Sequence, residues 1–71
     1  MKPFIVPFTF EVGKIKLNDS ITVFAKTQPA ALETFNTIIT ANHYLKMPYK
    51  DGIALVNTKE AKLKVGTVKE Q

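Results

Sequence analysis

A change of parity near the start of the chain limits the fold more than any other feature. Phe4, Val6, Phe8, Phe10 and Val12 occupy even positions, whereas Ile15, Leu17, Ile21, Val23 and Ala25 occupy odd ones. Successive side chains of a β-strand point to opposite faces, so each run reads as a strand with one buried face. The switch falls at Gly13-Lys14, and a two-residue turn there restores a common face. Glycine at the first central position suits a type II′ hairpin turn. The facing pairs are then Val12 with Ile15, Phe10 with Leu17, Phe8 with Asp19, Val6 with Ile21 and Phe4 with Val23. All but one are apolar.

The same register accommodates Pro3 and Pro7. Both fall at non-hydrogen-bonded pairs, where a missing N–H would have pointed away from the second strand. The first strand is therefore expected at a sheet edge. Asp19, opposite Phe8, is the mismatch. Either Asn18-Asp19-Ser20 forms a bulge, or the turn itself lies there, which keeps Ile15 opposite Val23 and Leu17 opposite Ile21. The Gly13-Lys14 turn is preferred.

A helix follows. Thr27 can serve as N-cap, and Pro29 sits in the first turn, where a missing donor does no harm. Ala31, Leu32, Phe35, Ile38, Ile39 and Asn42 recur at three- and four-residue steps. Isoleucine and threonine are weak helix formers, so packing on a sheet must hold this segment. Asn42-His43 marks its end. Tyr44 to Gly52 reads as a loop around Pro48 with a turn at Asp51-Gly52. Ile53-Ala54-Leu55-Val56 reads as a short buried strand and Asn57–Glu60 as a hairpin loop. A last strand turns Ala61, Leu63 and Val65 inward and Lys62 and Lys64 outward, and Lys69-Glu70-Gln71 is expected to fray. The order is ββαββ: an α+β two-layer sandwich, an antiparallel sheet with one helix packed on one face.

With 71 residues, positions 1–71 form one small domain that hides roughly 60% of the surface its unfolded chain exposes. There is no cysteine, so neither a disulfide nor a sulfur-based zinc site can help hold it. The six acids (Glu11, Asp19, Glu33, Asp51, Glu60, Glu70) are scattered, with no pair at the spacing that builds a metal or acid/base site. His43 is the single histidine and lies at a helix end, where a polar surface role is the commoner one. The three glycines form no phosphate-binding loop. The expectation is a protein that is not an enzyme, with no cofactor and no small-molecule substrate.

The net charge is +4, which attracts anionic surfaces at long range. Every basic residue is a lysine, and the bidentate reading of bases and phosphate is mainly arginine chemistry. Lysine with many Asn, Ile and Thr codons also fits an A+T-rich bacterial or phage gene. The opening Met1–Phe10 stretch is interrupted by two prolines and lacks a small-residue cleavage pattern. No run approaches the ~20 apolar residues that span a bilayer. A cytoplasmic location without membrane attachment is expected.

Two roles follow. The helix-free face of the first hairpin carries Pro3, Ile5, Pro7 and Phe24, an apolar set that invites a protein partner. Ile5, Pro7 and Phe24 are the candidate interface of a small, non-catalytic protein-interaction module, accessory or inhibitor-like in character. A domain near the lower size limit also gains from self-association, and a homodimer through the first hairpin is expected. The alternative is a small non-specific nucleic-acid-binding protein. Its contacts would be Tyr44, Lys46, Tyr49 and Lys50 in an aromatic/lysine loop, with Lys62 and Lys64 on the last hairpin.

Overall fold

β1 (Lys2–Val12) and β2 (Ile15–Ala25) form an antiparallel hairpin in the computed structural model, which describes residues 1–71. Val12 pairs with Ile15, and the register runs unbroken to Lys2 opposite Ala25. Gly13 has φ 60°, and Lys14 is not among the residues with positive φ. One positive φ at the first central position distinguishes a II′ turn from I′. The Asn18–Ser20 turn is thereby excluded. Asp19 does lie opposite Phe8, but at a solvent-exposed position, where its carboxylate accepts the Ser20 N–H at 2.8 Å.

β1 is not an edge strand. The sheet order is β2-β1-β5, with β5 (Lys62–Val65) and then β6 (Lys69–Glu70) pairing along the far side of β1. Pro7 survives at the centre because that far side is interrupted where it lacks a donor, and Pro3 lies beyond the last paired residues of β6, where it needs only to accept. Phe8 faces Val65 and Ile5 faces Lys69. Val6 and Pro7 thus oppose Gly66, Thr67 and Val68, two residues against three, which is a bulge. Here Pro7 serves only as acceptor: its carbonyl takes the Gly66 N–H at 2.8 Å, as that of Pro3 takes the Gln71 N–H at 2.9 Å. The chain end at Lys69-Glu70 is accordingly a paired strand rather than a frayed tail.

α1 (Gln28–Ala41) lies across the even face of β1. Thr27 is its N-cap, Oγ1 accepting from the Ala30 N–H at 3.3 Å, and Pro29 sits in the first turn. Asn42 closes the other end, its backbone N–H reaching the Ile39 carbonyl and its Nδ2 the Ile38 carbonyl. Ala31, Phe35 and Ile39 are buried. Thr37 and Thr40 stay exposed and bond back to the carbonyls of Glu33 and Asn36, a habit that makes threonine a weak helix former. Phe35 meets Phe8 at 5.2 Å between ring centres, and Phe8 meets Phe10 edge-on at 5.8 Å.

A helix of 14 residues is about 21 Å long. An eleven-residue strand reaches about 36 Å. The helix cannot cover the whole hairpin, and a second hairpin contributes the remaining core. Tyr44 to Tyr49, expected as a loop, is strand β3 (Tyr44–Tyr49), paired with β4 (Gly52–Asn57) through a turn at Lys50-Asp51. Met47 and Val56 join the same buried cluster as Phe10 and Leu17. The expected strand Ile53–Val56 is present, but it is not buried throughout. Val56 faces the core and Ala54 is half-buried, whereas Ile53 and Leu55 are 72% and 63% exposed. Asn57–Glu60 is a turn, but the strands it joins belong to different sheets, since β5 pairs with β1 and not with β4. Ala61 and Leu63 are half-buried as expected, while Val65 remains exposed.

The architecture is α+β: antiparallel sheets with the single helix packed on the β1–β2 hairpin. All thirteen buried residues are apolar, so a continuous hydrophobic core holds the fold.

Candidate interaction surface

The face of the main sheet turned away from α1 is built from odd positions of β1 and their partners. Its register sets Phe24 beside Pro3, Thr22 beside Ile5, Ser20 beside Pro7, Asn18 beside Thr9 and Lys16 beside Glu11. Across β1, Lys69 lies opposite Ile5, Lys64 opposite Thr9 and Lys62 opposite Glu11. The surface divides along the strands. Toward the open end of the hairpin it is apolar; toward the Gly13-Lys14 turn it is charged.

At the apolar end, Phe24 is 63% exposed, while Pro3, Ile5 and Pro7 are half-buried. β1, covered on both edges, holds Ile5 and Pro7 in place, and Phe24 projects from the outer strand beside them. A ring at such a position keeps much of its apolar area in contact with water. Ile5, Pro7 and Phe24 thus stand on one face.

At the charged end, Glu11 accepts from Lys64 Nζ at 2.8 Å. That hydrogen bond holds its carboxyl below the ordinary carboxylate range. The charges of Lys64, Lys16 and Lys62 reinforce the shift, and desolvation opposes it. Thr9 Oγ1 donates to Asn18 Oδ1 at 2.6 Å alongside. One carboxylate serves three lysines here, so Lys16 and Lys62 carry charge with no ion-pair partner.

The aromatic/lysine segment is distributed differently. Tyr44 and Lys46 project from the outer face of β3, Tyr49 is half-buried beside the core, and Lys50 sits in the turn with its Nζ 5.3 Å from the Tyr49 ring centre. Tyr44 packs edge-on against His43 at 4.5 Å. These residues belong to the two-stranded sheet, whereas Lys62 and Lys64 belong to the main one. The six candidate nucleic-acid contacts are therefore split between two sheets.

A second apolar surface was not legible in the sequence: Tyr44, Ile53 and Leu55, at 53%, 72% and 63% exposure, share the outer face of β3–β4. The four-residue run Ile53-Ala54-Leu55-Val56 resembles a buried strand, because alanine on the inner face hides the alternation. Only the burial of Met47 opposite Ala54 reveals which side faces in.

Elsewhere, two open hollows lie against α1, one lined by Glu33, Asn36, Thr37, Thr40 and Ala41, the other by its first turn and Gly66–Val68. No group of three His, Asp or Glu side chains converges as metal ligands would. No helix is long and apolar enough to cross a membrane. Comparison with protein-family models, with curated proteins and with solved structures found no match.

Proposed function

We propose that this protein is a non-catalytic interaction module that docks on a partner protein through the uncovered face of its main sheet. The observation that carries this reading is Phe24, 63% exposed on a paired strand beside Pro3 and the half-buried Ile5 and Pro7. Aromatic residues at the centre of an interface carry much of its energy, and a charged rim adds orientation and speed of encounter. Lys16, Lys62, Lys64 and Lys69 supply that rim, so the complementary partner has an apolar hollow bordered by carboxylates. This fits an accessory or inhibitor-like protein of the cytoplasm of a bacterium or of a phage-infected cell.

Affinity capture with tagged protein, with and without nuclease, tests the reading. Wild type should retain a partner after nuclease treatment, and Phe24→Asp should lose it while staying folded. Retention that Phe24→Asp leaves intact would reject this face.

One observation favours a second reading. Four lysines share the open face with an exposed aromatic ring, the combination with which single-strand binders follow a phosphate backbone and stack bases. Without arginine, such binding would be non-specific and driven by counterion release. Titration with single-stranded oligonucleotide at low and physiological salt separates the two, since a nucleic-acid role predicts affinity that falls steeply with salt.

A further inference from the structure

The uncovered face of the main sheet sorts its side chains along the strands, and that sorting limits what can lie on it. From Pro3 to Glu11, β1 runs about 27 Å at ~3.4 Å per residue. One half of the face holds Pro3, Ile5, Pro7 and Phe24; the other holds Lys16, Lys62 and Lys64 around Glu11. With Lys69 at the margin, four lysines oppose one carboxylate, which places +3 of the chain's +4 on this face. α1, on the other side of the sheet, carries a single charged residue, Glu33. The positive charge is gathered on the side that no element covers.

Two occupants fit this face poorly. A second copy of the chain would set one cationic face against another, and facing like charges reject a partner. A nucleic acid carries a phosphate at every nucleotide, whereas the lysines lie mainly at one end and Pro3, Ile5 and Pro7 at the other. A polypeptide can be sorted in that way, with carboxylates at one end and apolar side chains at the other. The backbone decides its form. β1 is paired on both sides, so the face offers side chains and no free N–H or C=O groups. An extended segment laid on it would bury backbone groups without partners. A helix bonds its backbone internally. The width agrees, since two strand spacings set the outer strands about 10 Å apart, against the ~10–12 Å diameter of a helix.

We infer that the partner lays an acidic amphipathic helix along β1, its apolar side chains against Phe24, Pro3 and Ile5 and its carboxylates between Lys16 and Lys62. This rests on the docking face proposed above and adds the form and charge of its occupant. A length of about 27 Å is five helical turns, or roughly 18 residues. Glu11 already engages Lys64 at 2.8 Å. Lys16 and Lys62, on either side of Glu11, are the cations left to receive a partner carboxylate. The lowered carboxyl value of Glu11 reports the positive field that such a carboxylate would enter. With α1 on the opposite face, the complex has helix, sheet and helix in three layers.

The probe is a synthetic helical peptide of roughly 18 residues, with leucines along one stripe of its first half and glutamates along the same stripe of its second. A version with lysines for the glutamates and a single-stranded oligothymidylate are the controls. Each is titrated into the isotope-labelled protein, and the amides are followed by NMR. The glutamate peptide should shift Ile5, Thr22, Phe24, Lys16 and Lys62 together, and the lysine peptide should not. Lys16→Gln/Lys62→Gln should weaken binding about fivefold, the effect of two rim ion pairs, with the α1 amides unmoved. No binding of the glutamate peptide at millimolar concentration overturns the inference. So do equal affinities for the two peptides, displacement of the peptide by oligothymidylate at physiological salt, or shifts of these amides with concentration in the chain alone. Phe24→Asp separates this inference from the reading beneath it. Binding lost in Phe24→Asp but untouched by the lysine changes leaves the docking face standing and removes its acidic occupant. Binding that Phe24→Asp leaves intact removes the face as well.

Discussion

The Pro7 carbonyl accepts the Gly66 N–H at 2.8 Å, and a β-carbon on Gly66 would stand 3.1 Å from Pro7 Cγ. Glycine is needed at this point in the bulge for close approach, since its φ is not in the left-handed region. Gly66→Ala should lower stability by about 1 kcal/mol, the cost of overpacking a site that can shift by a few tenths of an ångström. Chemical denaturation measures it. In a Pro7→Ala background the same change should cost less, because the ring atom it meets is gone, and equal costs in both backgrounds would exclude the proposed contact.

That pair also explains what the sequence disclosed and what it hid. The parity switch at Gly13 fixed the first hairpin residue by residue, because alternate burial admits no one-residue slip. The helix was legible from Thr27, Pro29 and the spacing of Ala31, Phe35 and Ile39. The prolines were read correctly as lacking donors on the far side of β1, but a missing donor does not prevent a neighbouring strand that bulges past it and donates to the proline carbonyl. Strand β3 was hidden by Pro48, which is compatible with a strand at a non-hydrogen-bonded pair. Ile5, Pro7 and Phe24 could be placed on one face because they belong to the hairpin whose register was determined. Tyr44, Ile53 and Leu55 could not, since their face depends on how the second hairpin meets the core.

Lys50 opens the second turn at φ 53°, a region that costs an L-residue roughly 1–2 kcal/mol. Lys50→Gly removes that cost. It also adds backbone freedom to the unfolded chain and loses the contact of Nζ with the Tyr49 ring, offsets of about 0.5 kcal/mol each. The net gain should be about 0.5 kcal/mol, read as a higher urea midpoint at unchanged slope. A lower midpoint would show that the lysine is not strained there.

Glu11 supplies a pH dependence with a definite sign. Its carboxyl is held below the ordinary range, chiefly by the hydrogen bond from Lys64. A depressed folded-state value stabilises the fold above the unfolded carboxylate value, and that contribution disappears as pH falls through the folded one. Stability should thus be insensitive to this group near neutrality and decline on the acid side. The NMR titration midpoint of Glu11 should move upward in Lys64→Ala, and partly so in wild type at high salt. An unchanged midpoint in Lys64→Ala would remove Lys64 as the cause.

Two phenylalanines should respond oppositely to truncation, and the contrast tests the fold and the proposed surface together. Phe35 is fully buried against Phe8 in the centre of the only helix. Removing a buried ring costs about 3–5 kcal/mol, through lost transfer energy and the cavity left behind. A domain of 71 residues has about 5 kcal/mol of stability to lose. Phe35→Ala should therefore be largely unfolded at 37 °C, and Phe35→Leu, which keeps most of the volume, should fold with a lowered melting temperature. Phe24 projects into solvent beside Pro3, so Phe24→Ala leaves no cavity and should change stability by less than about 0.5 kcal/mol. Its effect belongs to binding. A strongly destabilised Phe24→Ala would place that ring in the core, and the uncovered face would lose the group on which its role depends.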